Sequence, residues 1–288
     1  MLCRCIVILT LTLPALGQNL VVHYRLDETS GTLVSDSSGN GLDAQTMGVT
    51  SWVPGMVAGG LDLDGLTGHT AAPHDPLHNV AQLTIAAWVN VNVLQNWDGI
   101  LTKGIGVSPY SLALGSPVGK FKFQANQGGG GGGGVGGGIF ASTGDLTTDQ
   151  WHHVAATFDS QEVRLYLDGV LDSVHPTPGM VLGATATDLT LGADFPGGDE
   201  YLDGTLDDVR LYDGPLTADE IAQLAAGGGP VGSAYCFGDG SGTPCPCGNA
   251  STTGGCANGT GPAPRRATVA LLPLAASTNS RSSCASFP

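Results

Sequence analysis

The stretch WHHVAATFDSQEVRLYLDGV, residues 151–170, decides the fold. Side chains of an extended strand alternate between two faces, so residues two apart share an environment. Over 152–158 this puts Val154, Ala156 and Phe158 on one face, and His153, Ala155 and Thr157 on the other. Over 162–167 it puts Val163, Leu165 and Leu167 inward, opposite Arg164 and Tyr166. Asp168-Gly169 follows, a pair that favours a two-residue hairpin turn because glycine tolerates positive φ. Period-two apolar faces and a tight turn describe antiparallel ribbons, not a helix.

The pattern continues in both directions. Short alternating runs separated by Gly, Asp, Asn and Pro clusters predict an all-β fold, a two-sheet antiparallel sandwich. Further strands are expected at 20–25, 60–63, 83–91, 99–102, 110–114, 120–124, 139–142, 170–174, 188–192 and 204–212. One short C-terminal helix is signalled. TADE at 217–220 is a capping box, Ile221 and Leu224 give an apolar face, and Gly227 marks the end. It is expected on the sandwich edge after the last strand. The glycine tract at 128–138 reads as a long mobile loop. Its chance matches to dinucleotide motifs carry nothing, because no strand–turn–helix unit surrounds them. The sandwich is assigned to residues 18–227, a linker to 228–234, and a small cysteine-rich tail to 235–288, partly disordered.

Several segments, in order, resemble the laminin-G-like jelly-roll family within the concanavalin A-like lectin/glucanase superfamily. The strongest are WHHVAATFD at 151–159 and VRLYLDG at 163–169. YRLDETSG at 24–31 and DSSGNG at 36–41 look like the opening strand and first loop, and LTIAAWV at 83–89 like the central strand. LDGTLDDVRLY at 202–212 and LTADEI at 216–221 look like the closing strand and helix.

The bulk numbers set limits. The 288 residues suffice for one large sandwich and an appendage, and a 41% hydrophobic share supports a sizeable core. A net charge of −15 with ten Lys and Arg argues against nucleic acid and anionic membrane. Residues 1–17 read as an export signal: Arg4, the apolar run CIVILTLTL at 5–13, and small residues Ala15 and Gly17 before Gln18. That run is too short to span a bilayer, so a secreted, extracellular or cell-surface protein is expected. In an oxidising compartment Cys236, Cys245, Cys247 and Cys256 read as two disulfides with three possible pairings. Zinc competes, although the single residue between Cys245 and Cys247 is shorter than structural zinc spacing. Cys284 is the odd one out. The tail, YCFGDGSGTPCPCGN at 235–249 with GCAN at 255–258, resembles a short motif ending many secreted bacterial proteins.

For function, Trp88 and Trp151 read as core residues. Trp52 and Trp97 sit beside Gly, Pro, Asn and Asp in expected loops, and are the ligand-binding candidates. The superfamily includes glycoside hydrolases, whose chemistry needs two carboxylates across the scissile bond. The chain has no Glu-x-Asp-x-Glu run of the retaining glucanases, and no Gly-x-Ser-x-Gly or His-Glu-x-x-His motif. A non-catalytic module is expected. The resemblance also implies a structural Ca2+, with Asp207 at the matching position of the last strand and Asp27 and Asp64 as weaker partners. Two binding readings stand: a carbohydrate or glycoconjugate module using loop aromatics, or an adhesive module contacting extracellular glycoproteins or other proteins. Fold resemblance alone does not choose between them.

Overall fold

The structure, a computed structural model, describes residues 18–227 apart from 105–108, 116, 127–136, 195, 197 and 199. The expected export signal, linker, cysteine-rich tail with its disulfides, and most of the glycine tract lie outside the described residues.

Among the described residues sixteen strands form. The first eight are β1 (Leu20–Tyr24), β2 (Leu33–Val34), β3 (Ala44–Met47), β4 (Thr50–Pro54), β5 (Gly59–Asp64), β6 (His69–Ala72), β7 (Leu83–Val91) and β8 (Gly99–Lys103). Then follow β9 (Tyr110–Leu114), β10 (Phe121–Ala125), β11 (Gly138–Ala141), β12 (Trp151–Phe158), β13 (Glu162–Leu167), β14 (Val170–Pro176), β15 (Leu189–Leu191) and β16 (Asp203–Tyr212). A 3₁₀ turn spans Pro76–His78, and helix α1 spans Ala218–Ala225. Sheet A runs β14-β13-β12-β7-β16-β5-β4, with β1 also paired to β16. Sheet B runs β11-β10-β9-β8-β15-β6-β3-β2.

The decisive hairpin forms as its alternation dictates. Val154 pairs with Leu167 and Phe158 with Val163, while Asp168 and Gly169 both take positive φ, 52° and 80°. Val154, Ala156, Phe158, Val163 and Leu165 enter the inter-sheet core. Opposite them sheet B contributes Leu112, Phe121 and Phe123, and the Phe123 and Phe158 rings lie 6.4 Å apart. Burial of this apolar area is the main stabilising term.

Sheet A is buried on its second face too. There Ala86, Ala155, Tyr166 and Tyr212 pack against Leu216, Ile221 and Leu224. Helix α1 therefore covers a sheet face, not the expected edge. Its start is the expected capping box, with Thr217 and Glu220 exchanging hydrogen bonds. Gly169 tucks beneath it: a Cβ there would sit 2.8 Å from Ala225 Cβ. Trp88 is buried as expected, but on this second face, edge-on to His153 at 5.3 Å, and Trp151 is only half-buried beside it. Sequence alternation missed β2, β3, β4 and β6, which at two to five residues are too short to show a repeating pattern.

Two buried histidines resist protonation. Burial, aided by Lys103, lowers the pKa of His78 to about 4, and burial lowers that of His153 to about 4 as well. The unfolded chain takes up these protons near 6.5 and the folded chain does not, so stability falls as pH drops from about 6.5 to about 4. Urea titrations across this window should give His78→Gln and His153→Gln pH slopes that are each shallower than wild type by up to roughly 1.4 kcal/mol per pH unit. Slopes equal to wild type would contradict the assignment.

Candidate functional site

With helix α1 on sheet A, the outer face of sheet B is where a cavity opens. Alternation in β8, β9, β10 and β15 sends Leu101, Leu112, Phe123 and Leu191 into the core. It leaves Thr102, Ser111, Lys122 and Thr190 on the outer face, where Thr102 pairs with both Thr190 and Ser111. At the β6 end lies a cavity of about 330 Å3, lined by Met47, His69, Ala71, Gly104, Thr187, Asp188, Thr190 and Pro196. That volume falls at the lower end of ordinary ligand sites. His69 Nδ1 lies 2.9 Å from the Thr67 carbonyl, which can only accept, so Nδ1 carries a proton and, in the neutral ring, Nε2 is an acceptor. The Tyr201 ring lies 5.7 Å from the His69 ring.

Trp97 stands near the β9–β10 end of the same face. It is half-buried, in the β7–β8 loop, with φ at +77°, a conformation rarely held by a bulky residue. Its backbone N–H donates to Leu114 O (3.1 Å), and Leu114 N–H donates to Asp98 O (2.8 Å). Lys122 Nζ lies 2.8 Å from the indole centroid and makes no hydrogen bond. Burial lowers the Lys122 pKa to about 8 against the attraction of Asp194, Glu200 and Asp98. Asp194 Oδ1 accepts from Thr102 (3.0 Å) and Ser111 (2.9 Å), while burial pushes its pKa up. Gly99 permits this loop to settle: a Cβ there would meet Asp194 N at 2.4 Å. Sequence reasoning singled out Trp97, which lies outside the cavity lining, and did not point to His69, Asp188, Lys122 or Asp194. The cavity draws on β3, β6, β15 and loops far apart in the chain, which no local motif records.

The other candidates separate. Trp52 is not in a loop but in β4, opposite Leu61, packed against the core with its indole N–H donating to Gly31 O (3.0 Å). Asp64 does not join Asp207. Its oxygens accept from the N–H groups of Leu66, Thr67 and Gly68 and the Thr67 hydroxyl, which holds its pKa near 2 and closes its own turn. Asp207 is fully buried. Its Oδ2 accepts from Val57 N–H (2.6 Å), its Oδ1 has no partner, and burial raises its pKa to about 7. Asp27 comes close enough to add to that rise, but one oxygen accepts from Gly59 N–H and the other pairs with Arg25. Among the described residues no group of three or more His, Cys, Asp and Glu side chains is placed to hold a metal. Asp207 Oδ1 alone fits a cation ligand, and the rest of a hard cation's shell would have to be backbone carbonyls.

Two arrangements bear on catalysis. Asp98, Asp194 and Glu200 lie close enough to one ammonium, Lys122, for each to raise its pKa against the effect of burial. Elsewhere Thr147 Oγ1, His152 and Asp168 form a series at 2.8 and 3.1 Å. Thr147 N–H also donates to His152 Nε2 (3.2 Å), so the nitrogen that would act as base already serves to clip this loop to the hairpin.

The family model described as the concanavalin A-like lectin/glucanases superfamily matches residues 64–222, more than half of the chain. The chain belongs to this superfamily. No curated protein sequence matches it. Among solved structures, domain 4 of AbnA, a GH43 extracellular arabinanase from Geobacillus stearothermophilus in complex with arabinotriose, superposes with TM-score 0.56 at 22% identity, over 73% of this chain and 99% of that one. The binding domain of botulinum neurotoxin DC in complex with SialylT gives 0.58 at 13%, over 73% and 51%. Trypanosoma rangeli sialidase gives 0.53 at 19%, over 72% and 32%. The chain thus spans about half of that neurotoxin domain and a third of the sialidase. At these identities the likeness is one of fold.

The Asp194 network can be tested directly. Asp194→Ala leaves the buried Thr102 and Ser111 hydroxyls without this acceptor and removes a negative charge near the Lys122 ammonium, and should cost about 2–4 kcal/mol in urea unfolding. Asp194→Asn, which keeps the oxygen, should cost less. A loss under about 1 kcal/mol for the alanine variant would show the network to be unimportant.

Proposed function

We propose that this member of the concanavalin A-like superfamily is a secreted, non-catalytic module that binds carbohydrate on the outer face of sheet B. The observation that carries the reading is the cavity beside His69, on the face that helix α1 leaves open, with Trp97 farther along that face. Saccharides present apolar C–H faces and rings of hydroxyls, and the lining offers both counterparts: Met47, Ala71 and Pro196 for the former, Asp188 and His69 for the latter. Secretion rests on the export pattern of residues 1–17. Support comes also from the fold neighbours solved with arabinotriose and SialylT.

The test is retention on polysaccharides in affinity gels. Trp97→Ala and His69→Ala should each weaken retention about tenfold, equivalent to roughly 1.4 kcal/mol. Trp52→Phe, in the core-packed edge strand, should leave retention unchanged. If neither site variant alters retention while Trp52→Phe abolishes it, the ligand lies elsewhere. Release of reducing ends during incubation would overturn the non-catalytic part of the reading. Saccharide indifference combined with protein capture lost on substituting the exposed Met47, Val49 and Leu66 would favour the adhesive alternative.

A structural Ca2+ at Asp207 is the second part of the proposal. The support is the buried Oδ1 that no protein group satisfies, between the β4–β5 turn and β16. The ion would fix that turn and take no part in ligand chemistry. A chelator should lower the melting temperature of the wild-type chain by several degrees, roughly 1 kcal/mol or more, and should not affect Asp207→Asn. An unchanged wild-type melt would remove the ion.

A further inference from the structure

Every described cation near the outer face of sheet B is already engaged inside the protein. Lys122 is buried with its ammonium over the Trp97 ring. Lys103 is buried, and its ammonium donates to the Thr187 carbonyl and lies 3.1 Å from His74 Nδ1. Lys120 pairs with Asp145 at 2.7 Å. The described arginines, Arg25, Arg164 and Arg210, pair with Asp27, Glu162 and Asp208 on or beside sheet A. Carboxylates, in contrast, border both ends of this face: Asp188 lines the cavity, and Asp98, Asp194 and Glu200 surround Lys122.

Recognition of a carboxylate or sulfate in a partly desolvated site needs an available guanidinium, an ammonium or converging N–H donors. Among the described side chains that line the cavity, the Asp188 carboxylate and, in the neutral ring, His69 Nε2 are acceptors, the Thr190 hydroxyl donates to Ala193 O, and the Thr187 hydroxyl beside Thr185 Oγ1 is the one uncharged donor. An acceptor-rich, anionic lining suits ligands that bring their own donors. Resting on the carbohydrate reading above, we infer that the cavity takes an uncharged saccharide, whose hydroxyls donate to Asp188 and His69, and rejects uronate, sialate and sulfate sugars. The discrimination is electrostatic at Asp188, so it weakens with salt, since surface charges are screened beyond a Debye length of about 10 Å at 0.1 M.

The full secreted chain, applied to an array carrying neutral, uronate, sialylated and sulfated glycans at low and high salt, reads the inference directly. The expected hits are neutral glycans, with acidic counterparts of the same backbone at least tenfold weaker. Asp188→Asn, which keeps an acceptor for His74 N–H, should narrow that gap several-fold. Acidic glycans bound as tightly as their neutral counterparts, or a gap that Asp188→Asn leaves unchanged, would overturn the inference while leaving carbohydrate binding intact. No binding to any glycan would instead overturn the reading on which it rests.

Discussion

Strand β7 is buried on both faces, and the rest of the molecule is arranged around that constraint. Ile85, Ala87 and Val89 point between the sheets, while Ala86 points under the residues that carry helix α1. A strand with two apolar faces must lie at the centre of its sheet with something covering each side. Sheet B covers one side and the helix the other. Sheet A is thereby committed to packing over much of its surface, whereas sheet B, whose outer-face residues Thr102, Ser111, Lys122 and Thr190 are themselves buried, opens at its β6 end in the cavity beside His69.

That face does not reach its shape cheaply. Burying Lys122 and Asp194 costs several kcal/mol of desolvation each, and the displaced pKa values of both residues record it. A cation over an indole returns roughly 2 kcal/mol when desolvated, and two hydroxyl bonds return about 1 kcal/mol each. A net gain in stability is therefore not the main result. The result is geometric: Asp194 ties its loop to β8 and β9, and Lys122 gives Trp97 one fixed platform to rest on.

The fold was legible wherever alternation was strong. The β12–β13 hairpin, the Asp168-Gly169 turn and the capping box at Thr217 each carry a local physical signal, and each is present. Strands such as Ala44–Met47 and His69–Ala72 were not legible, because four residues, most of them small or polar, give little contrast between faces. Aromatic character misled in two cases. Trp151, expected in the core, is only half-buried, and Trp52, expected in a loop, packs from an edge strand. Asp64 reads in sequence like a cation ligand, yet three backbone N–H groups claim it. The cavity itself is a product of long-range pairing, with β15 brought beside β6 and β3 from more than a hundred residues farther along the chain.

The central claim is that the open face of sheet B, and not the covered face of sheet A, meets the ligand. Backbone hydrogen–deuterium exchange of the chain with and without a bound neutral oligosaccharide locates the contact. The account expects slowed exchange around Gln45–Met47, His69–Ala71 and Thr187–Thr190, with little change in helix α1. Slowing confined to residues 55–58 and 205–209 would contradict it.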